Sequence, residues 1–401
     1  MKVSSKGVRA GVALLVAAAA LVALAATAAA RVSAGSPIVI GWAHDSTGPM
    51  APFDGPALAA AQIRVKQIDA RGGVLGHPLE IKTCDTQGNK APVAKACADK
   101  LIGQGAKIIF TTCDVDLAAP VVQESINHGL LTVAPCIGTD QMGPSRFGAK
   151  GKLAFSFGNV AQDEGSAMAQ FAWNKGWRTA DLATDTVIVY FKNVVQAFKA
   201  RFQQLGGKIV DEESYQDPAF HGSNVQNAVS RLNAHHADVI VTSTAGAYGA
   251  LAPLITGLRT LGNTTPVLNS WAGDGTYWLP KKPPVTNYYF VTYANVFGQD
   301  PNKAIDKLAK QIHAATGGFV TGPAAIDGVV SALKRAHGST NGATLASIMQ
   351  TFHKVPTLSG LVSFSPKLHS VFGRAYRVIE INNNKPREIT TITAKVVPNI
   401  H

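Results

Sequence analysis

The stretch Ile38–Glu80, IVIGWAHDSTGPMAPFDGPALAAAQIRVKQIDARGGVLGHPLE, holds a strand, a polar loop, a long helix and a glycine turn in that order. IVIGWA (Ile38–Ala43) is a short apolar run, as expected of a strand covered by helices on both faces. Leu58, Ala61, Val65 and Ile68 recur at three- and four-residue spacing, which gives a helix over 56–70 one buried face; Gly72 and Gly73 stop it. The loop between them, His44–Gly55, falls at the carboxyl end of a first parallel strand, where an open α/β sheet places its ligand.

The same beat continues through LEIKTC, a helix over 91–103, KIIFTTC, a helix over 117–128 and LLTVAP. Such alternation predicts right-handed βαβ units and a parallel sheet. After AFSFGN (Ala154–Asn159) a second series begins, with helices over 162–175, 190–205, 222–235 and 247–261 alternating with TADLA, KIVDEESY, DVIVTS and PVLNSW. At 401 residues the chain is too long for one core, and two α/β sheets in succession predict a bilobal clamp. NYYFVTYA (Asn287–Ala294) is expected to return the chain to the first lobe, where helices over 301–316, 323–337 and 343–352 pack. LVSFSP (Leu361–Pro366) and YRVIEIN (Tyr376–Asn382) then go back to the second. The first lobe is thus expected over 35–157 and 291–359 and the second over 158–290 and 360–401, with crossings near 158, 290 and 360 forming a hinge.

Residues 1–34 read as a secretory signal: Lys2, Lys6 and Arg9 precede an apolar run over Ala10–Ala26, and Ala28, Ala30 and Ala34 offer small-residue cleavage sites. The expected location is the periplasm or the medium, with no cysteine near the cleavage region to carry a lipid. Loss of the first thirty residues lowers the formal charge from +12 to roughly +9. The basic residues are scattered and not interleaved with aromatics, which argues against a nucleic-acid partner. Cys84, Cys97, Cys113 and Cys136 form an even set, so two disulfides are expected in an oxidising compartment, with three pairings open. Cys113 and Cys136 each end a predicted strand; if those strands are neighbours they can be bridged, leaving Cys84 for Cys97. Without C-x-x-C spacing or a nearby His pair, no metal site is expected.

STGPMAPFDGPALAAAQIRVKQIDARGGVLGHPLEI, followed by CDTQGNKAPVAKACADKLI, closely resembles the amino-terminal lobe of periplasmic binding proteins of the branched-chain amino acid class. RFQQLGGKIVDEESY, LRTLGNTTPVLNS and GLVSFSP resemble that family's second lobe and late crossover. The resemblance implies a two-lobed type I fold and a soluble, monomeric receptor that delivers a small polar molecule, an amino acid or related compound, to the permease and ATPase of an ABC importer. By position it implies ligand contact at Phe53, with Ser46 and Thr47 nearby. It implies the same at Asp114 and Asp116 after the third strand, Cys136 and Thr139 after the fourth, and Tyr190, Tyr248, Trp271 and Asp274 in the second lobe. A ligand carboxylate would meet like charge at Asp114 and Asp116, so a neutral or cationic compound suits these loops at least as well. Acids just before a helix also serve as caps without any ligand.

No G-x-S-x-G, H-E-x-x-H or P-loop motif occurs, GDGTYW lacks the third glycine of a dinucleotide fingerprint, and no cofactor is expected. The adjacent His235 and His236 end a helix facing different ways. Two alternatives remain: an exported α/β enzyme using Asp114, Asp116 or Asp274, or a ligand sensor on the same fold.

Overall fold

The computed structural model describes residues 35–217 and 225–399. The export signal expected over residues 1–34 lies outside the described residues. Among the described residues no helix is long and apolar enough to cross a membrane.

The first lobe runs β1 (Ile38–His44), α1 (Ala51–Asp69), β2 (Leu79–Asp85), α2 (Ala91–Gly103), β3 (Ile108–Phe110), α3 (Val115–Asn127), β4 (Leu131–Ala134), the short α4 (Pro144–Phe147) and β5 (Ala154–Asn159). These strands pair in parallel in the order β5-β4-β3-β1-β2. The second lobe follows with α5 (Ala161–Asn174), β6 (Thr179–Asp185), α6 (Val189–Gln204), β7 (Lys208–Tyr215), α7 (Val225–Ala234), β8 (Val239–Ser243), α8 (Leu251–Thr260), β9 (Val267–Asn269) and β10 (Tyr288–Thr292). The chain then returns through α9 (Lys303–Ile312), α10 (Thr321–Arg335), α11 (Gly342–Met349), the hairpin β11 (Val355–Thr357) and β12 (Gly360–Val362), and β13 (Ser370–Val371). It ends in β14 (Tyr376–Asn382) and β15 (Lys385–Ile392), which join the second sheet antiparallel beside β10. That sheet is therefore mixed, parallel through β10-β9-β8-β6-β7 and antiparallel at one edge.

Two of the differences from the sequence reading bear on the site and the hinge. Pro56 suggests a helix start, since proline suits a first turn, yet α1 begins at Ala51 and carries Pro56 inside it. Pro56 has no N–H for the Pro52 carbonyl; the Thr316 hydroxyl donates to that oxygen instead, at 3.3 Å. Phe53 is thereby fixed in a helix's first turn and not in a loop. The return to the second lobe, expected near 360, comes after Val371. Phe364 packs in the first core beside Phe155 and Phe157, and β13 pairs with β5. LVSFSP thus stays with the first lobe, because its aromatic fills that lobe's core.

The first core gathers Ile40, Trp42, Phe110, Val133 and Phe155 from the sheet against Val329 and Leu333 of α10. A second apolar cluster runs across the junction, uniting Met50, Phe53 and Ala57 of the first lobe with Phe191, Tyr248 and Trp271 of the second. Arg374 sits where the crossings meet: its Nη2 donates to the Phe157 carbonyl at 2.8 Å, and its guanidinium lies 5.1 Å from the Tyr293 ring.

Close helix approach depends on two glycines. A Cβ on Gly165 would come within 2.3 Å of the Val194 carbonyl, and one on Gly322 within 2.0 Å of the Ala57 carbonyl. Gly165→Ala and Gly322→Ala are each expected to destabilise the fold by about 1–3 kcal/mol through overpacking. Urea unfolding measures this; unchanged midpoints would show that the helices accommodate the methyl.

Candidate ligand site at the seam

Rings from both lobes meet at the carboxyl ends of the two sheets. The first turn of α1 presents Phe53, whose ring centroid lies 5.1 Å from that of Trp271, tilted by 59°. Trp271 follows β9, Tyr190 and Phe191 open α6, and Tyr248 precedes α8. Tyr190 stands 6.3 Å from Trp271 at 69°, Phe191 lies 5.8 Å from Tyr190 at 54°, and Tyr248 lies 5.8 Å from Phe191 at 55°. Together with Met50, Cys113 and Asp114 these rings line a cavity of about 20 Å³, room for roughly one water. A groove of about 600 Å³ runs elsewhere, between Arg64, Leu308, Asp327 and Thr357. It does not lie between the strand ends of the two sheets, so lobe closure would not gate it.

Several contacts hold the seam shut. The Tyr248 hydroxyl donates to Met50 Sδ at 3.0 Å, and Gln162 Nε2 donates to Asp140 Oδ2 at 3.0 Å. Gly138 lies against the Tyr190 ring so closely that a Cβ there would stand 2.6 Å from it. Asp116 accepts the backbone N–H of Val189 at 2.9 Å, and pairs with Arg146 at 2.8 Å. The residue preceding α6, Ile188, has no capping side chain, so Asp116 of one lobe caps the first turn of a helix in the other.

Buried carboxyls back the cavity. Glu164 of α5 accepts from the Tyr190 hydroxyl at 2.9 and 3.0 Å and from the Trp271 N–H at 2.6 Å, fixing two of the rings. Asp54 accepts from the N–H groups of Asp45 at 2.9 Å and Cys113 at 3.0 Å. Asp114 accepts from those of Asp116 at 2.9 Å and Leu117 at 3.1 Å. Desolvation pushes Glu164 up to about 8 and Asp54 and Asp114 up to about 7, against which the amide hydrogen bonds act only in part.

Of the expected site residues, Phe53, Asp114, Tyr190, Tyr248 and Trp271 come together around the cavity. The others stand apart from it. Ser46 donates its hydroxyl to Asp85 at 2.5 Å on an exposed loop. Thr139 Oγ1 accepts the Gln141 N–H at 3.2 Å within its own turn. Asp116 spans the lobes as described, and Asp274 accepts from Thr292 Oγ1 at 2.6 Å and the Gly317 N–H at 2.5 Å. Cys136 lies behind Cys113 as its disulfide partner, with Cα atoms 4.7 Å apart at the ends of neighbouring β4 and β3. The second disulfide joins Cys84 to Cys97. Sequence reasoning did not find Met50, Ile188, Phe191, Ala245 and Ala272 on the cavity wall, nor Asp54 and Glu164 behind it. Phe191 adjoins Tyr190 at a helix start and was the one legible signal among them.

Two lobes joined by three crossings, with a cavity walled from both sides, define the class: a solute-binding clamp. A family model described as periplasmic binding protein matches residues 37–386, and the chain belongs to that family. It is 24% identical over 351 residues to Leu/Ile/Val-binding protein homolog 3 of Brucella melitensis, covering 86% of this chain and 91% of that one. Among solved structures it resembles the branched-chain amino acid transporter substrate binding protein LivJ of Streptococcus pneumoniae in complex with isoleucine (TM-score 0.74, 18% identity, 89% of this chain and 99% of that one). It also resembles an ABC transporter solute binding protein of Rhodopseudomonas palustris in complex with 3,4-dihydroxy benzoic acid (TM-score 0.73, 16% identity, 90% and 99%). At these identities the structural likenesses establish the fold.

The buried acids set a pH dependence. Glu164 moves from 4.5 in water to about 8 in the fold, so its stabilising contribution is full below about 4.5 and is lost as pH rises through about 8. The melting temperature is expected to be lower at pH 9 than at pH 6. Glu164→Gln imitates the protonated acid, accepting from Trp271 N–H and donating to the Tyr190 oxygen, and should narrow that difference in calorimetry. An equal pH dependence in the variant would show that Glu164 is not the group responsible.

Proposed function

We propose that the protein is an extracytoplasmic solute receptor that closes its lobes on a small molecule and presents the closed form to the permease and ATPase of an ABC importer. The observation that carries this reading is the double-sided cavity wall: Phe53, Met50 and Asp114 belong to one lobe, and Tyr190, Tyr248 and Trp271 to the other. A solute that touches both sets gains its full contact area only when the lobes are shut, so binding favours the closed population. The cavity of about 20 Å³ cannot admit an amino acid or an aromatic acid, so the lobes must part for entry and the wall side chains must give way around the guest. Ligands named for the similar proteins, branched-chain amino acids and benzoic acids, support a small organic solute with an apolar body.

The enzyme alternative finds no support in the placement of its candidate acids. Asp114 caps α3, Asp116 is engaged by Arg146 and the Val189 N–H, and Asp274 is held by Thr292 and Gly317, so the three do not converge on one reacting atom.

A broad solute library is expected to contain a compound that raises the melting temperature; at a hundredfold excess over Kd the stabilisation is about 2.7 kcal/mol. Asp116→Ala removes one of the contacts between lobes, the bond to the Val189 N–H, without touching the cavity and should weaken that compound's affinity roughly tenfold, the worth of a charged hydrogen bond. A library without a single stabilising solute would overturn the receptor reading. Unchanged affinity in Asp116→Ala would remove Asp116 from the closing contacts.

A further inference from the structure

We infer that the solute is a small organic cation, gripped by ring faces and not anchored through a carboxylate. This rests on the seam being the solute site, as proposed above.

The first ground is the shape of the wall. Phe53, Trp271, Tyr190, Phe191 and Tyr248 succeed one another around the cavity with neighbouring planes tilted by 54–69°. Rings so inclined surround the space from several sides and do not form one stack. Aromatic faces carry negative potential, and a space surrounded by them attracts an ammonium or quaternary ammonium group.

The second ground is charge. No Lys or Arg lines the cavity, whereas Asp114 does. Glu164 stands directly behind Tyr190 and Trp271, and Asp54 behind Cys113. Of the nearby cations, Arg146 pairs with Asp116, and Arg374 is separated from the cavity by Tyr293, which stacks on Trp271 at 5.1 Å. A carboxylate brought here meets no cation among the lining residues and stands close to Asp114.

The third ground is the fate of the backbone donors. Strand ends and helix starts would ordinarily offer N–H groups to an anion. Here the N–H of Cys113 is taken by Asp54, those of Asp116 and Leu117 by Asp114, that of Val189 by Asp116 and that of Trp271 by Glu164. The chain's own carboxylates already occupy the positions a ligand carboxylate would use. A cation needs none of these donors, and its arrival favours the ionised form of the acids that hold them.

Calorimetric titration of the purified mature protein with choline, tetramethylammonium, 3,3-dimethylbutanol, benzoate and isoleucine tests this. Dimethylbutanol has the shape of choline without its charge, so it separates cation recognition from simple apolar fit. The expected result is choline binding at least tenfold tighter than dimethylbutanol, with benzoate and isoleucine weaker than either. Phe53→Ala and Asp114→Asn are each expected to reduce choline affinity at least fivefold; Asn keeps the capping oxygen, so folding is retained and the loss reports charge. Equal binding of choline and dimethylbutanol, or tighter binding of benzoate or isoleucine, overturns the cation assignment and leaves the receptor reading standing. Failure of all five to bind also overturns it, and the receptor reading then falls only if the broad library yields no stabilising solute either.

Discussion

Backbone N–H groups at the ends of two parallel sheets converge on the junction between the lobes, and each needs an acceptor once water is excluded. The structure supplies these acceptors as carboxyls. Asp45 takes the N–H groups of Gly48 at 2.7 Å and Gly88 at 3.0 Å; Asp54, Asp114, Asp116, Glu164 and Asp274 take others one or two at a time. This arrangement sets the geometry of the site. Asp54 ties the β3 loop to α1 and so places Phe53 beside Cys113, and Glu164 ties the β9 loop to the start of α6 and so places Trp271 beside Tyr190. Removing one such acid would leave a buried donor unpaired, which costs about 1–3 kcal/mol.

The same constraint gives the cleft its electrical character. Burial makes these acids resist ionisation: Glu164, Asp54, Asp114 and Asp274 all rise to about 7 or 8, chiefly through desolvation, with neighbouring acids adding to the rise at the first three. Asp116 pairs with Arg146 at 2.8 Å and keeps its side chain partly exposed. From the cavity a continuous series of contacts leads to the hinge: Phe53 on Trp271 at 5.1 Å, Trp271 on Tyr293 at 5.1 Å, and Arg374 over Tyr293 at 5.1 Å.

Much of the fold was legible because the βα beat is local: strands such as IVIGWA and DVIVTS announce themselves by apolar runs and turns. Two disulfides were legible as a count but their pairing stayed open among three, because only the fold makes β3 and β4 neighbours and so brings Cys113 to Cys136. The third crossing was not legible, because β13 is two residues long and its pairing with β5 is imposed by tertiary packing around Phe364. Pro56 misled about the start of α1 because its missing N–H is compensated by Thr316, which lies 260 residues away in sequence. In the site, aromatics in loops and helix starts stood out, and Phe53, Tyr190, Tyr248 and Trp271 meet as expected. Glu164 did not, because an acid in a first turn reads as a complement to the helix dipole, and only the fold reveals that it faces Trp271 and Tyr190. Asp114 and Asp116 looked alike in sequence; one faces the cavity while capping its own helix, and the other caps a helix of the opposite lobe.

Distances between spin labels at exposed Gln123 in the first lobe and Gln203 in the second, recorded with and without a solute that raises the melting temperature, test lobe closure directly. Capture between the lobes predicts a broad distribution without solute, with a longer-distance open population, that narrows toward one closed distance as solute saturates. A single distance that no bound solute moves would contradict it.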